Sequence, residues 1–384
     1  MIKKLLILGL IIVPFYEVFL YFLIPYRDFP QFPDMRVTKD FVSMAISLAL
    51  GSIVLYKYGF KKVKNIWILA FVFFLVWNIF KSPETGIAVN RMWNYEPVLM
   101  VLVNFILFLG VSSVEFSRKD IKDIFATIMY CGLGMAIIIV CQRIGLDQIF
   151  HILPKYITLG TNLPLVGGTL GQATLSAPFI VMCIPFAIYF KKWLIGAIMA
   201  VSVVLTESMV AIGGMGIGLI IYILFIEKWW KYALLVGVIG AIGVLIYLKP
   251  DLLVQNSRLY AWKLAIKDIF TGKIAFTGAG IGAFKFLFAL RHNNSWYHLH
   301  NDWLQLIWGC GLIGFWIAFM AIKKILAEAW RFRPIFIAFC SVIAIAMGTF
   351  ILQLAAYQYY LTIMVGIIYS CKKEIYYEST ANAS

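Results

Sequence analysis

The sequence predicts an all-α, polytopic integral membrane protein with about twelve transmembrane helices. Three observations indicate this fold class: an apolar composition, a series of apolar segments of spanning length, and basic residues clustered between those segments. Hydrophobic residues make up 62% of the 384-residue chain and charged residues only 13%, whereas a soluble globular chain is about half apolar and about a quarter charged. No single soluble core could bury so many apolar side chains, so a bilayer must solvate them.

The apolar segments can be placed along the chain, because a transmembrane helix needs about 20 mostly apolar residues. The predicted spans lie near residues 5–25, 40–56, 65–80, 97–114, 121–141, 174–190, 193–207, 209–226, 232–248, 302–322, 334–350 and 353–370. The first begins like a secretory signal peptide, but it is too long and no small-residue cleavage site follows, so we expect a retained helix. No repeat or soluble domain interrupts the series, and residues 1–384 are treated as one membrane domain.

The formal net charge of +15 is distributed in short Lys and Arg clusters between the apolar segments. The clusters fall in every second connection, which places those connections and both termini in the cytoplasm by the positive-inside rule. No basic face or domain remains to hold a polyanion, so we expect no nucleic-acid partner. The six cysteines lie in or beside apolar runs, which is typical of small buried side chains rather than of disulfides or metal ligands.

The largest predicted extracytoplasmic loop, residues 249–301 between the ninth and tenth spans, carries most of the polar chemistry. It holds three of the chain's four histidines, His292, His298 and His300. Its glycine-rich run, residues 278–282, lacks the preceding strand and the GK[ST] ending of a P-loop, so we interpret it as flexible backbone at the membrane surface. An active site is therefore expected in this loop.

Two parts of the loop have the pattern of helices lying on the outer membrane surface. From Leu259 onwards, apolar residues recur at helical spacing while Lys263, Lys267 and Asp268 take the opposite side, which predicts an amphipathic surface helix. Residues 283–290 form a shorter apolar piece, for which we expect a second surface helix.

Arg258 lies in the first turn of the predicted amphipathic helix and has two interpretations. As an interfacial anchor, its side chain would extend to the lipid headgroups. As a phosphate clamp, its guanidinium fork would match phosphate oxygens in two-point geometry. The local pattern alone leaves both open.

His300 directly precedes the tenth predicted span, whose helix start disfavours an imidazolium and suits a bound anion. A neutral imidazole there can accept a proton near neutral pH. Asp302 and Gln305 have the spacing of a capping box, with Asn301 as the alternative N-cap. A zinc site formed by the three loop histidines is the weaker alternative, since no cysteine is near and Asp302 is better used as a cap. We expect no metal.

The stretch H-N-x-x-L-Q-L-x-x-x-x-G-x-x-G, His300 to Gly314, resembles the signature region of the O-antigen ligase and O-antigen polymerase family. Upstream, that family has an Arg, then a Trp, then a glycine-rich piece ending in Gly-x-Phe, which is similar to Arg258, Trp262 and residues 278–284. Twelve spans with the main outer loop between the ninth and tenth also look like the ligase layout.

The resemblance implies a glycosyltransferase of the cell inner membrane, multi-pass, with its active site facing the periplasm. Such enzymes transfer a glycan from a polyprenyl diphosphate to an acceptor sugar hydroxyl. A ligase uses the lipid A core as acceptor and a polymerase extends the glycan itself; we expect a ligase, with a polymerase as the alternative. The implied partners are the glycan donor, the acceptor and membrane lipids, and no cofactor takes part.

The resemblance also implies roles for residues. His300 would be the catalytic base that activates the acceptor hydroxyl, and Arg258 would bind the diphosphate leaving group. The further substrate-binding candidates, from the same loop and from the turn between the seventh and eighth spans, are Trp262, Asn301, Arg291, His298, Glu207 and Gly280.

One position departs from the family pattern. Many members have a Ser-Arg pair at the outer end of the seventh and eighth spans, whereas here Ser208 is followed by Met209. Lys249, Arg291 or Arg143 could supply the missing second cation.

A secondary transporter is the alternative from another functional class, and a non-catalytic membrane scaffold is a third. Glu17 lies deep in the first span, and an intramembrane carboxylate is a candidate functional group. However, the two halves of the chain do not resemble each other and no matching pair of interrupted helices is predicted.

Overall fold

The computed structural model describes residues 2–23, 35–60, 65–80, 98–146, 170, 173–225, 256–272, 274, 276–280, 283–292 and 299–370. Every regular element within these ranges is helical, and none is a strand. The all-α prediction is therefore confirmed for the described part of the chain.

The helices follow one another in a simple order. They are α1 (Ile2–Leu23), α2 (Met35–Tyr58), α3 (Ile66–Ile79), α4 (Val98–Ser113), α5 (Arg118–Arg143), α6 (Ala173–Tyr189), α7 (Trp193–Leu205), α8 (Met209–Leu224), α9 (Asn256–Phe270), a π-helical turn (Phe284–Phe288), α10 (Ala289–His292), α11 (Asp302–Ala329), α12 (Arg333–Ile345), a 3-10 turn (Ile351–Gln353) and α13 (Ala355–Ser370).

All the predicted spans except 232–248, which lies outside the described residues, coincide with one of these helices. Within the described ranges, three stretches are long and apolar enough to cross a membrane: Phe41–Tyr58, Arg118–Arg143 and Asp302–Ala329. Several further apolar helices are shorter, at 10–17 residues. This set is typical of a membrane-embedded helical protein, while the number of twelve spans and the cytoplasmic termini stay predictions.

Helix α6 lies at the centre of the bundle and packs against α5, α7, α8 and α12. Side chains on every side of it are buried, among them Phe179, Met182 and Phe186, as expected for a helix that is apolar all round. Tyr357 and Tyr360 of α13 pack edge to face on Phe179, with ring centroids at 6.1 and 4.9 Å. The core thus joins α6 to the C-terminal helix.

Helix α11 is interrupted at Gly311, whose backbone (φ 69°, ψ −176°) is not helical. Residues 276–280 fill this break. The N–H groups of Ala279 and Gly280 donate to the carbonyls of Trp308 and Gly309 at 3.0 and 2.9 Å, and Ile313 N–H donates to the Phe276 carbonyl at 3.1 Å. The inserted chain therefore bonds to the backbone groups that the break exposes, as a membrane interior requires.

The expectation of flexible surface backbone at residues 278–282 is therefore wrong for the described glycines. Gly278 (φ 71°) lies against the α11 backbone, where a Cβ would overlap the Gly309 carbonyl. At Gly311, a Cβ would overlap the Phe276 carbonyl. Gly311 lies about nine residues, roughly 14 Å, beyond the start of α11, so the loop descends alongside the helix instead of resting on top of it.

Helix α9 covers this region with a face of small residues. Ala261, Ala265 and Ile269 are buried, and α9 packs against α11. Leu259 and Phe270 are 47% and 84% exposed, so the predicted apolar surface stripe is present on a second face.

The expected second surface helix, residues 283–290, is instead a π-helical turn and the start of α10, and its described side chains Ala283, Phe284 and Phe288 are buried. Phe284 and Phe288 of the π-helical turn are buried, with ring centroids 5.1 and 6.2 Å from that of Trp308. An apolar run of this length can pack either on a membrane surface or on another helix. Here it packs on Trp308 of α11.

Candidate functional site

The backbone around His300 is held by the start of α11. His300 has a left-handed backbone conformation (φ 50°), which is uncommon for a residue other than glycine. The Asn301 side chain is the N-cap of α11 and accepts the Leu304 N–H at 2.9 Å. On the other side, Leu299 N–H donates to the Gln305 side chain at 3.2 Å. These two bonds fix the chain on both sides of the imidazole.

The predicted capping box of Asp302 and Gln305 is therefore wrong, and the alternative N-cap, Asn301, is confirmed. Asp302 lies inside the helix, and its carboxylate accepts the Leu352 N–H and the Gln353 side-chain amide, each at 2.8 Å. The Asp302 carboxylate is therefore bonded to donors distant in sequence and does not cap its own helix. Asp302 N–H in turn donates to the Ala346 carbonyl at 2.8 Å, which ties α11 to the α12–α13 connection.

Helix α9 supplies the other half of the site. Arg258 Nη1 donates to the Gly348 carbonyl at 3.3 Å, and Trp262 Nε1 donates to the Leu299 carbonyl at 2.6 Å. Residues four apart lie on one helix face, so this face of α9 is held at two points. One is Leu299, directly before His300, and the other is Gly348, two residues before the Phe350 ring that contacts His300.

Electrostatics distinguish the two ionisable groups of the site. Burial, and secondarily the positive charge of Arg258, lower the pKa of His300 from its usual 6.5 to about 4. The Phe350 ring meets the imidazole edge-on, with centroids 5.1 Å apart. Burial also lowers the pKa of Arg258, although a guanidinium remains protonated in proteins. A fixed positive charge therefore lies close to a neutral imidazole.

Arg291 belongs to a separate cluster centred on Asp268. Its Nη1 lies 3.7 Å from Asp268 Oδ2, and its guanidinium lies 5.9 Å from the centre of the Trp308 ring. The same carboxylate oxygen lies 3.0 Å from His292 Nε2 and accepts Trp308 Nε1–H at 3.4 Å. Arg291, a predicted substrate ligand, is thus engaged in holding α9, α10 and α11 together.

Sequence reasoning missed Asp268, which was placed on the solvated side of α9 with the lysines. It is 5% exposed and lies on the same face as Ala261 and Ala265. The signal was present: two alanines four residues apart indicate a close contact with another helix, and Asp268 falls three residues after the second of them.

Glu207 lies in the turn between α7 and α8 with a left-handed backbone (φ 56°). Its Oε1 is 2.8 Å from Arg143 Nη2 at the C-terminal end of α5. Ser208 follows as the N-cap of α8, and its buried hydroxyl has no hydrogen-bond partner among the described residues. Val210 lies against Gly348, the residue that binds Arg258, so this turn is at the same end of the bundle as the His300 site.

Two remaining candidates have different outcomes. Gly280 is buried and uses its N–H on α11, as described above. His298 lies outside the described residues. Within the described ranges no group of three His, Cys, Asp or Glu is arranged to hold a metal ion, and the absence of a metal from the whole chain stays a prediction.

Comparison with known proteins adds no family assignment: no protein-family model matches the chain, and no curated protein matches it at a significant level. The family resemblance therefore rests on the sequence motif alone. The geometry around His300 offers a neutral proton acceptor, a fixed cation and a helix start on one side of the bundle.

Proposed function

We propose that this protein is a membrane glycosyltransferase of the O-antigen ligase or polymerase type. It transfers a glycan from a polyprenyl diphosphate to an acceptor sugar hydroxyl at the periplasmic face of the inner membrane, with the lipid A core as the first candidate acceptor. One observation carries this proposal: Arg258 and His300, distant in sequence, contact the same short segment. Arg258 donates to the Gly348 carbonyl, and the centroid of the His300 ring lies 5.1 Å from that of Phe350. The motif resemblance gives both residues a role in the same reaction.

The proposed reaction needs one base and one anion-binding group. As the acceptor oxygen attacks the anomeric carbon, His300 takes the hydroxyl proton and the bond from that carbon to the diphosphate oxygen breaks. The electron pair leaves with the polyprenyl diphosphate, whose growing negative charge Arg258 stabilises. The products are the glycosylated acceptor, the polyprenyl diphosphate and a proton that His300 then releases.

Donor binding would also strengthen the base. With a pKa of about 4, His300 is neutral but accepts protons weakly near neutral pH, and an efficient general base titrates near the working pH. A bound diphosphate offsets the positive charge of Arg258 and adds negative charge nearby, which raises the pKa of the imidazole. His300 would therefore be a stronger base when the donor is in place.

Arg143 is the best candidate for the second donor-binding cation. Arg291 is engaged by Asp268 and Trp308, and Lys249 lies outside the described residues. Arg143 instead reaches the turn beside Ser208 through Glu207, close to where the family has its second arginine. The cation would then come from α5 rather than from the turn itself.

The test uses purified protein in detergent with a polyprenyl-diphosphate-linked oligosaccharide and either lipid A core or a second donor as acceptor. Transfer to the core should occur with the wild type and be lost in His300→Ala and Arg258→Ala. Lys263→Ala, an exposed position on the same helix as Arg258, is the matched control and should retain transfer. Extension of the glycan would instead indicate a polymerase. Transfer that is indifferent to His300, or absent with every pairing, would contradict the proposal.

A secondary transporter is the second candidate, and the interruption of α11 at Gly311 favours it, since transporters bind substrates at broken helices. Here, however, backbone groups around the break bond to Phe276, Ala279 and Gly280. Those groups are therefore not free to bind a transported substrate. Uptake into vesicles that needs a proton gradient and proceeds without covalent transfer would make the transporter the better explanation.

A further inference from the structure

A partly open cavity of about 410 Å³ lies between the helices of the bundle beside the His300 site. Its walls come from α3, α4, α11, α12 and α13, and along α11 they extend from Asp302 to Ile325. At about 1.5 Å per residue this is roughly 35 Å of helix, comparable to the hydrocarbon thickness of a bilayer. A space of this volume and length suits a hydrocarbon chain better than a compact ligand.

The lining is apolar along most of this length. Side chains such as Phe71, Leu75, Phe105 and Val365 face the space. Asn104, Gln358 and Thr362 are polar residues partway along, and Asn104 is already bonded to Gln358, Ser47 and the Met100 carbonyl at 2.9–3.1 Å. Most of the cavity therefore offers contact with methylene groups but few free polar partners.

One end of the cavity is polar and carries an unused acceptor. Gln353 Nε2 donates to Asp302 Oδ1 at 2.8 Å, which fixes the orientation of the amide because only the nitrogen can donate to a carboxylate. The opposite atom, Gln353 Oε1, is buried and has no partner among the described residues. Buried acceptors are normally satisfied, so this oxygen calls for a donor from a bound molecule.

The same end argues against a phosphate headgroup. The Asp302 carboxylate lines the cavity beside Gln353, and a second anion there would be repelled. A sugar hydroxyl has no such conflict and can donate to the free amide oxygen. The polar end also adjoins the catalytic segment, since Asp302 follows Asn301 in the chain and Phe350, just before Leu352, contacts the His300 ring.

We propose that this cavity binds the hydrocarbon chain of a glycolipid, with a sugar hydroxyl of its headgroup donating to Gln353 Oε1. The proposal that a glycolipid binds here is argued from the cavity and its polar end alone. The further step, that this glycolipid is the acceptor whose hydroxyl His300 activates, rests on the proposed function. The diphosphate of the donor would then bind separately, at Arg258.

The test is photolabelling of the purified full chain in detergent, without donor. Two probes share one diazirine-bearing chain and differ in the headgroup, a single hexose or a phosphate monoester. The hexose probe should label residues of α3, α11 and α13, and the phosphate probe should label them about five- to tenfold less, the equivalent of one hydrogen bond and an unfavourable charge. Equal labelling by both probes would overturn the headgroup assignment.

Three variants make the test specific. Thr362→Trp fills the cavity and should reduce hexose-probe labelling at least tenfold. Leu312→Trp, at a position 45% exposed on α11, is the matched control and should label like the wild type. Gln353→Lys keeps a donor for Asp302 but replaces the free acceptor with a cation, so the preference should reverse towards the phosphate probe. Unchanged labelling in Thr362→Trp, with the variant eluting as folded protein, would overturn the proposal.

The experiment separates this site from the proposed function. His300→Ala lacks the proposed base but leaves the cavity intact, so it should label like the wild type while being inactive in transfer. Specific labelling with no transfer under any pairing would leave a glycolipid site in a protein of another function. Transfer that persists in Thr362→Trp with normal acceptor KM would show that the acceptor does not bind here.

Discussion

Arg258 on α9 lies close enough to His300 for its positive charge to lower the pKa of the imidazole. Neither residue lies within a predicted span: one is on the helix that covers α11, and the other directly precedes α11. Trp262, one turn after Arg258, holds the arrangement by donating to the carbonyl of Leu299. The pKa of His300 therefore depends in part on whatever neutralises Arg258.

Removing the charge of Arg258 should raise the pKa of His300 only in part. Burial is the larger cause of the shift from 6.5 to about 4, so in Arg258→Gln the value should move upward but stay below 6.5. Histidine NMR in detergent micelles would measure it, with Lys263→Gln as the control of equal charge change. No movement would mean that the two groups do not interact.

The same shift predicts how stability depends on pH. The folded protein holds His300 at a pKa below that of the unfolded chain, so folding favours the neutral form. That contribution is fully present above about pH 6.5 and is lost as the pH falls towards 4, by roughly 2–3 kcal/mol in total. Thermal unfolding between pH 4 and 7 should show the decline, and it should be smaller in His300→Gln. Identical profiles would contradict the assignment.

Arg258→Lys and Arg258→Gln should separate charge from geometry. If Arg258 binds a diphosphate leaving group, loss of the charge should reduce kcat/KM by about 10²–10³-fold. The Lys variant should recover only part of the lost kcat/KM, because an ammonium group lacks the two-point geometry of the guanidinium fork. Transfer kinetics measure both, and full activity of the Gln variant would exclude a role for this guanidinium.

Arg143→Ala and Arg291→Ala should have opposite signatures. The exposed ion pair of Arg143 with Glu207 contributes little to stability, so its loss should raise the donor KM without changing the Tm. Arg291 lies against buried Asp268 and Trp308, so its loss should lower the Tm with less effect on the donor KM. The reverse outcome would indicate Arg291 as the second cation.

Gly278→Ala and Gly311→Ala should each destabilise the protein by at least about 1–3 kcal/mol, through a strained backbone and overlap with neighbouring carbonyls. Gly213→Ala is the matched control, because a Cβ there meets nothing within 4 Å and alanine favours a helix. Unfolding in detergent would compare the three. A neutral result at Gly311 would mean that the break in α11 can be relaxed.

The positions of the helices could be predicted from the sequence, whereas the conformation of the loop that meets Gly311 could not, and the reason is physical. Apolar run length is a local property, and it located helices such as α4 and α6 within a few residues. Gly311 looked like an ordinary packing glycine because its positive φ depends on residues 276–280, which lie far from it in sequence.

The cap of α11 illustrates the same limit. Asn301 and Asp302 fit the N-cap position equally well by composition, and both were considered. The choice was decided by Leu352 and Gln353, whose N–H groups bind the Asp302 carboxylate. Periodicity also could not pair His300 with Arg258, since they are distant in sequence; the family resemblance singled them out, and their roles stay predictions.

The insertion of residues 276–280 into α11 also constrains the order of biosynthesis. The loop is synthesised before Trp308, Gly309 and Ile313, so its amide and carbonyl groups have no helix to bond to until that part of α11 has been made. Backbone without partners is poorly tolerated in lipid, and the loop must therefore wait outside the bilayer until both halves of α11 have been made. Released chains truncated before residue 308 should accordingly remain open to water-borne probes at this loop, and chains that contain the whole of α11 should not.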